Sequence, residues 1–384
     1  MTVLRPLPIE PGAAALSALP AIEAVLSGQN PGALLPVPAD DPRQRALLTD
    51  ALHAGKPVGE NIAVVVPTSG TTGIPKGAML SVTALTTSAH ATHERLGGPG
   101  HWLLALPAHH IAGLQVLVRS ALAGTTPVAI PASFAATELV SAVAAMGSGR
   151  RYASLVAAQL VKLLDEPAAV AALAHLDAVL IGGGPMPAGV GERAADAGIR
   201  VIRTYGMSET AGGCVYDGRA LAGVQVRIDD GRVVLGGPMV ADGYRNPVNP
   251  DPFAEPGWFR TDDLGALDGS GTLSILGRVD DAISTGGLTV LPQLVENAMA
   301  GHPAVAECAV FGVPDARLGQ RVAAAVVVVP GAAVPALTEI RALIADTLDV
   351  TAAPREIHVV DALPRRGIGK LDRKALSLRF GDPG

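Results

Sequence analysis

Apolar and polar positions alternate on two different periods along this chain. Short apolar runs at 62–66, 102–106, 127–130, 152–156, 178–181 and 199–203 predict buried strands. Between them, 82–96, 113–122, 135–145, 157–164 and 189–197 carry helical patterns. Strand and helix taking turns at this spacing predict a parallel sheet with helical crossovers, an α/β fold. From Gly223 the texture changes to short β-like runs, and Asp230-Gly231 within 224–235 predicts a hairpin. The end of the chain mixes periods in an α+β pattern: helical at 291–300, extended at 305–313 and 322–329, helical again at 337–348. Polar residues interrupt the apolar texture at Arg278-Val279-Asp280-Asp281. That interruption places the expected boundary between an N-terminal domain, 1–279, and a C-terminal domain, 280–384.

At 384 residues the chain exceeds what one hydrophobic core usually organises, which agrees with two domains. Nearly half of it is apolar, so core formation is not in question. A net charge of −6 without a long basic run argues against nucleic acid or an anionic membrane surface as partner. An anionic ligand would then need locally placed cations. Cys214 and Cys308 are the two cysteines, with no Cys-x-x-Cys, which supports neither a disulfide framework nor a cysteine zinc site and predicts a reducing, cytoplasmic setting. The first ten residues hold one arginine and two prolines in place of a charged start and an apolar run, so no signal peptide is expected. The apolar run 322–329 is too short to span a bilayer and predicts a buried strand.

Chemistry concentrates first in Thr68-Ser69-Gly70-Thr71-Thr72-Gly73-Ile74-Pro75-Lys76-Gly77, directly after the strand at 62–66. Glycines let backbone N–H groups approach phosphate oxygens, the hydroxyls of Thr68, Ser69, Thr71 and Thr72 donate further hydrogen bonds, and Lys76 supplies a point charge. The loop is not a Walker loop, because Pro75 precedes the lysine and Gly77 follows it. An ordinary turn is the alternative; the lysine and the preceding strand favour a polyphosphate.

Five further segments stand in register with it: Pro107-Ala-His-His110-Ile-Ala-Gly113, Tyr205-Gly-Met-Ser-Glu-Thr210, Trp258-Phe-Arg-Thr-Asp-Asp-Leu-Gly265, 277–287 (Gly-Arg-Val-Asp-Asp-Ala-Ile-Ser-Thr-Gly-Gly) and Pro364-Arg-Arg-Gly-Ile-Gly-Lys-Leu-Asp-Arg373. In this order and spacing, over residues 61–376, the chain resembles the adenylate-forming superfamily of acyl-CoA synthetases, adenylation domains and luciferases. The resemblance implies the adenylate-forming fold: a large N-terminal domain with parallel sheets and a β-rich subdomain, and a small mobile C-terminal domain. It also implies ATP and CoA as co-substrates.

Beside the resemblance, the residues have their own chemistry. Tyr205, before Gly206, offers a flat ring for adenine, and Gly182-Gly183-Gly184 lets backbone approach the purine edge. Glu209 is a carboxylate suited to Mg²⁺ shared with phosphate oxygens. Ser208 can donate to the α-phosphate, Asp263 can accept from the ribose hydroxyls, and Arg278 can donate to the sugar. Asp262 stands where the family usually has glycine. By resemblance, His110 and Gly206 border the acid pocket, with His110 also at the thiol channel. Lys370 matches the adenylation lysine, which would stabilise the charge between carboxylate and α-phosphate. Asp280 takes the hinge position, and Gly286-Gly287 would line a pantetheine tunnel once the small domain has turned.

Within the superfamily the chain is most similar to the o-succinylbenzoate-CoA ligases of menaquinone biosynthesis, in their compact actinobacterial form. The likeness rests on 114–120 (Leu-Gln-Val-Leu-Val-Arg-Ser), 154–160 (Ser-Leu-Val-Ala-Ala-Gln-Leu) and 181–185 (Ile-Gly-Gly-Gly-Pro). Their substrate has a second carboxylate, for which Arg119 and Ser154 are the candidate partners. Two alternatives stay open here: loading of a carrier protein in place of CoA, and a catalytically silent nucleotide-binding homologue. Whether the chain pairs as a homodimer also stays open.

Overall fold

The computed structural model describes residues 2–29, 32–68, 74–131, 133–187, 189–366 and 370–381. Its N-terminal portion is built on two large sheets. The first runs in the order Pro57–Val58, Thr2–Ile9, Gly32–Pro38, Ile62–Val66, Ala78–Ser81, with the three middle strands parallel. The second runs Arg219–Ala220, Gly212–Tyr216, Val201–Met207, Ala178–Gly182, Arg151–Val156, His101–Leu104, Val128–Ala129. Its last five strands are mutually parallel and its first two are antiparallel.

Helices Val82–Leu96 and Ile111–Ala123 lie between the two sheets, and one apolar core runs through all three layers. Val64 and Leu80 of the first sheet, Leu85 and Leu117 of the helices, and Trp102 and Leu180 of the second sheet belong to it. Ser81 caps the first of these helices by accepting from the Ala84 N–H at 3.0 Å, and Gly97 closes it at φ 90°. A separate core covers the far face of the second sheet with Ala136–Ala145, Ala157–Leu164, Pro167–Ala174 and Val190–Asp196. Both faces of its parallel strands are therefore buried, which is why they appear in the sequence as unbroken apolar runs.

Two expectations need correcting. The strand at 62–66 and the strand at 102–106 belong to different sheets, so the helix between them crosses from one layer to the next and does not close a βαβ unit within one sheet. The proline-rich opening, to which the sequence assigned no element, forms the strands Thr2–Ile9 and Gly32–Pro38. Leu4 donates its N–H outward to the Lys56 carbonyl at 3.1 Å, and Pro6 and Pro8 share its parity. Their missing N–H groups fall on the edge side, so the ladder to Gly32–Pro38 stays whole.

The β-rich sheet is antiparallel: Gln225–Asp229, Arg232–Gly236, Trp258–Leu267, Leu273–Arg278. Its first hairpin turns at Asp230 and Gly231, both left-handed at φ 48° and 74°, as the sequence predicts. Residues 279–282 then lead to the C-terminal sheet, ordered Leu288–Val290, Ile283–Thr285, Gly319–Val328, Val305–Asp315, with Glu356–Val359 parallel to Gly319–Val328. Pro292–Met299 and Leu337–Ala345 cover one face of it, and Arg373–Phe380 covers the other.

Candidate active site

The parallel strands of the second sheet deliver several of the sequence-predicted residues to their C-terminal edge, where open α/β sheets bind ligands. Gly182 ends one strand, and Tyr205 and Gly206 fall near the end of the next. His110 follows a third and opens the helix Ile111–Ala123 at its N-cap position. A Cβ on Gly206 would stand 2.1 Å from the Gly212 carbonyl, so only glycine allows the two strands to pair this closely. Gly182 meets Thr204 Oγ1 in the same way at 2.6 Å, Gly183 is left-handed at φ 84°, and Gly184 faces open space.

Of the phosphate loop, Ser69, Gly70, Thr71, Thr72 and Gly73 lie outside the described residues. At the loop's entrance Thr68 Oγ1 is shielded from solvent and has no hydrogen-bond partner among the described residues. At its exit the Lys76 N–H reaches back to the Thr68 carbonyl at 3.3 Å. Glu209 lies in the short 3₁₀ turn Ser208–Thr210 at the end of Val201–Met207 and is only 8% exposed. The Tyr244 hydroxyl donates to its Oε1 at 2.6 Å. Burial, with the Glu209 charge added, pushes the Tyr244 phenol well above its ordinary value, so it remains a donor. Lys76 Nζ sits 5.1 Å over the same tyrosine ring. Among the described residues no group of three or more His, Cys, Asp or Glu could hold a metal alone. A buried carboxylate near a hydroxyl- and glycine-rich loop suits a cation that phosphate oxygens help to bind.

Asp263, 7% exposed, is reached from two sides. The Tyr205 hydroxyl donates to its Oδ2 at 2.7 Å and Arg278 Nη1 to its Oδ1 at 3.2 Å. Burial pushes the Asp263 carboxyl up, and burial together with the Asp263 charge raises the Tyr205 phenol. The same Arg278 forks onto Asp280, with Nε at 2.8 Å from Oδ1 and Nη2 at 2.9 Å from Oδ2. Partial burial works to raise Asp280, but this fork outweighs it and holds the carboxyl below its usual range. The Asp280 bond in turn raises Arg278. Asp262, in place of the family's glycine, accepts from Arg232 Nη1 at 3.1 Å.

Beside His110, a Cβ at Gly113 would come within 2.4 Å of the Pro107 carbonyl, so this glycine lets the helix seat on the turn that presents His110. The His109 ring lies 4.3 Å from that of His110. Ser154 is buried in Arg151–Val156, in register with Leu180. Arg119 does not join this group. It is nine residues beyond His110 on one helix, about 13 Å along the axis at 1.5 Å per residue. It is 3% exposed, with its guanidinium 4.7 Å above the Trp102 ring inside the core. This packing favours a structural role for Arg119 over a contact with the second carboxylate; its aliphatic stem and flat head suit a packed aromatic site.

In the C-terminal portion, Gly286 and Gly287, at φ 58° and 85°, form the two-residue turn between Ile283–Thr285 and Leu288–Val290. Lys370 begins the short strand Lys370–Leu371, opposite Arg365–Arg366. Three residues on, Arg373 binds Asp281 Oδ2 at 2.8 Å and both Glu296 oxygens at 2.8 and 2.9 Å. The strand bearing Lys370 is thus tied to the start of the C-terminal sheet.

The sequence missed one segment. Residues 241–246 hold both Glu209 and the exit of the phosphate loop: Ala241 N–H donates to the Glu209 carbonyl at 2.9 Å, Arg245 N–H to Gly77 at 2.8 Å and Asn246 N–H to Lys76 at 2.9 Å. The signal was a polar Asp-Gly-Tyr-Arg-Asn-Pro stretch directly after the apolar Met239-Val240-Ala241.

Residues 10–245 match the AMP-binding enzyme family and residues 294–370 match the AMP-binding enzyme C-terminal domain. The chain belongs to this family and has the adenylate-forming fold. It is 61% identical, over 98% of both chains, to the probable 2-succinylbenzoate--CoA ligase of Mycobacterium tuberculosis. Identity to the 2-succinylbenzoate--CoA ligase of Bacillus cereus is 32%, covering 83% of this chain and 70% of that protein. Among solved structures it resembles the o-succinylbenzoate CoA synthetase MenE of Bacillus subtilis in complex with the acyl-adenylate intermediate OSB-AMP, with a TM-score of 0.75 and 26% identity, covering 98% of this chain and 88% of that one.

Proposed function

We propose that this protein is an AMP-forming o-succinylbenzoate-CoA ligase. The observation that carries the substrate is the 61% identity to the mycobacterial enzyme along nearly the whole chain. The reaction has two steps at one site. A carboxylate oxygen of the acid attacks the α-phosphorus of ATP and pyrophosphate leaves; the CoA sulfur then attacks the acyl carbonyl, AMP leaves and the thiol proton is released.

The residues divide this work. Thr68, Lys76 and the loop Ser69–Gly73 hold the polyphosphate, and Ser208 donates to the α-phosphate. Tyr205 and Gly182–Gly184 receive the adenine, while Asp263 and Arg278 hold the ribose. Mg²⁺, bound at Glu209, would neutralise charge on the leaving pyrophosphate. His110, Gly206 and Ser154 border the acid. Lys370 stabilises negative charge between carboxylate and phosphate in the first step. In the second, rotation about Asp280 brings Gly286 and Gly287 to the pantetheine arm. The domain break falls between residues 279 and 280, within the connection from the last strand of the β-rich sheet to the C-terminal sheet. Among the described residues no helix is long and apolar enough to cross a membrane. We place the enzyme in the cytoplasm on its two unpaired cysteines.

The test is pyrophosphate release over a panel of fatty, aryl and aryl-dicarboxylic acids, with and without CoA. o-Succinylbenzoate should give the highest rate and AMP as the nucleotide product. ADP as the main product, or a clear preference for benzoate or a fatty acid, would overturn the assignment.

A further inference from the structure

We propose that residues 241–246 act as a clasp that fixes the separation of Glu209 and Lys76, with Tyr244 as the positioning residue shared by both. One aromatic side chain touches the two groups through different chemistry. Its hydroxyl donates to Glu209 Oε1 at 2.6 Å, and its ring face lies 5.1 Å beneath the Lys76 ammonium. A cation above a ring face and a carboxylate at the ring edge both follow the charge distribution of a phenol.

The tyrosine itself has little freedom. The Phe253 ring packs against it edge-on at 5.1 Å, and its backbone bridges to Ala78 beside the loop's exit. On either side of it the backbone is pinned to the same two places: Ala241 to Glu209, and Arg245 and Asn246 to Gly77 and Lys76. Asn246 Nδ2 adds bonds to the Pro75 carbonyl at 2.7 Å and the Ala51 carbonyl at 2.8 Å. The clasp therefore sets how far a carboxylate for a metal ion stands from a cation for a phosphate. That distance must match a metal-bound polyphosphate. The inference rests on the reading of Glu209 as the Mg²⁺ carboxylate and goes beyond it by naming what orients that group.

The test uses the full-length protein and a nonhydrolysable ATP analogue, with binding measured by calorimetry across a Mg²⁺ titration and in EDTA. Tyr244→Phe keeps the ring and removes the hydroxyl. It should raise the Mg²⁺ midpoint on the order of 10–100-fold, the scale for removing an outer partner of a metal ligand, while affinity in EDTA stays at the wild-type value. Tyr244→Leu removes the ring as well and should also weaken binding in EDTA, because Lys76 loses its seat. A Tyr244→Phe variant with the wild-type Mg²⁺ midpoint, or one weakened equally with and without metal, would overturn the clasp. A wild type indifferent to Mg²⁺ would instead overturn the reading of Glu209 on which it rests.

Discussion

Arg119 and His93 show how far a side chain's type is from its task. An arginine near a histidine motif suggested a carboxylate partner, yet the fold stacks it on Trp102, and its charge is felt by His93. Burial, and then Arg119, lower the His93 pKa to about 4 from an ordinary 6.5. The folded protein thus binds fewer protons than the unfolded chain between these values, so stability falls as pH drops from 6.5 towards 4. Urea unfolding should lose on the order of 1–2 kcal/mol to this group between pH 7 and pH 5, and His93→Gln should flatten that part of the slope. A slope unchanged by the substitution would remove His93 as its source. For Arg119→Met the expectation is a KM for o-succinylbenzoate within about twofold of wild type, since no desolvated charge pair with substrate is lost. A rise of tenfold or more would return the residue to the substrate. Tyr205, Glu209 and Asp263 stood out as candidates in the sequence because their chemistry is local to a motif. Tyr244 was not, because its meaning lies in a contact with a residue 35 positions away.

The elements were legible where burial is two-sided or strictly one-sided. The helices at 82–96 and 157–164 match their sequence boundaries, and the five parallel strands of the second sheet fall within a few residues of theirs, while its antiparallel strands Gly212–Tyr216 and Arg219–Ala220 had no sequence counterpart. What periodicity does not encode is which sheet a strand joins: a helix of the same length can return to its own sheet or cross to another. Nor does it register a strand whose prolines turn their missing N–H groups away from the parallel ladder, as Pro6 and Pro8 do. The helix Ile111–Ala123 offers a direct trial of how an element carries a site. In Gly113→Ala the added carbon meets backbone at 2.4 Å, and helix or turn must move. We expect a loss of about 1–3 kcal/mol in stability, the usual cost of overpacking, together with a fall in kcat/KM as His110 shifts. A variant with wild-type stability and rate would show that the contact yields freely.

For the molecule as a whole, the division of labour follows the division of cores. One core joins both N-terminal sheets, while the C-terminal sheet closes around its own two. Lys370 belongs to the latter part, whereas Thr68, Glu209 and Asp263 belong to the former. Lys370→Ala should slow acyl-adenylate formation on the order of 10²–10³-fold, as removal of a preorganised transition-state charge does, and leave thioester formation from supplied acyl-adenylate near wild type. Equal loss in both half-reactions would sink the two-orientation scheme.

Residues 279–282 can also be understood as a short leash. On the proposed two-orientation scheme, a tether of that length would keep the lysine-bearing domain at an effective concentration on the order of millimolar around the adenylation site, whatever the concentration of the protein itself. If residues 1–279 and 280–384 are produced as separate chains and each folds, adenylation at micromolar concentrations should nearly vanish. It should return in proportion to added C-terminal chain as that approaches the millimolar range. Full activity from micromolar amounts of the two pieces would mean that the halves hold each other through their surfaces and that the leash is dispensable.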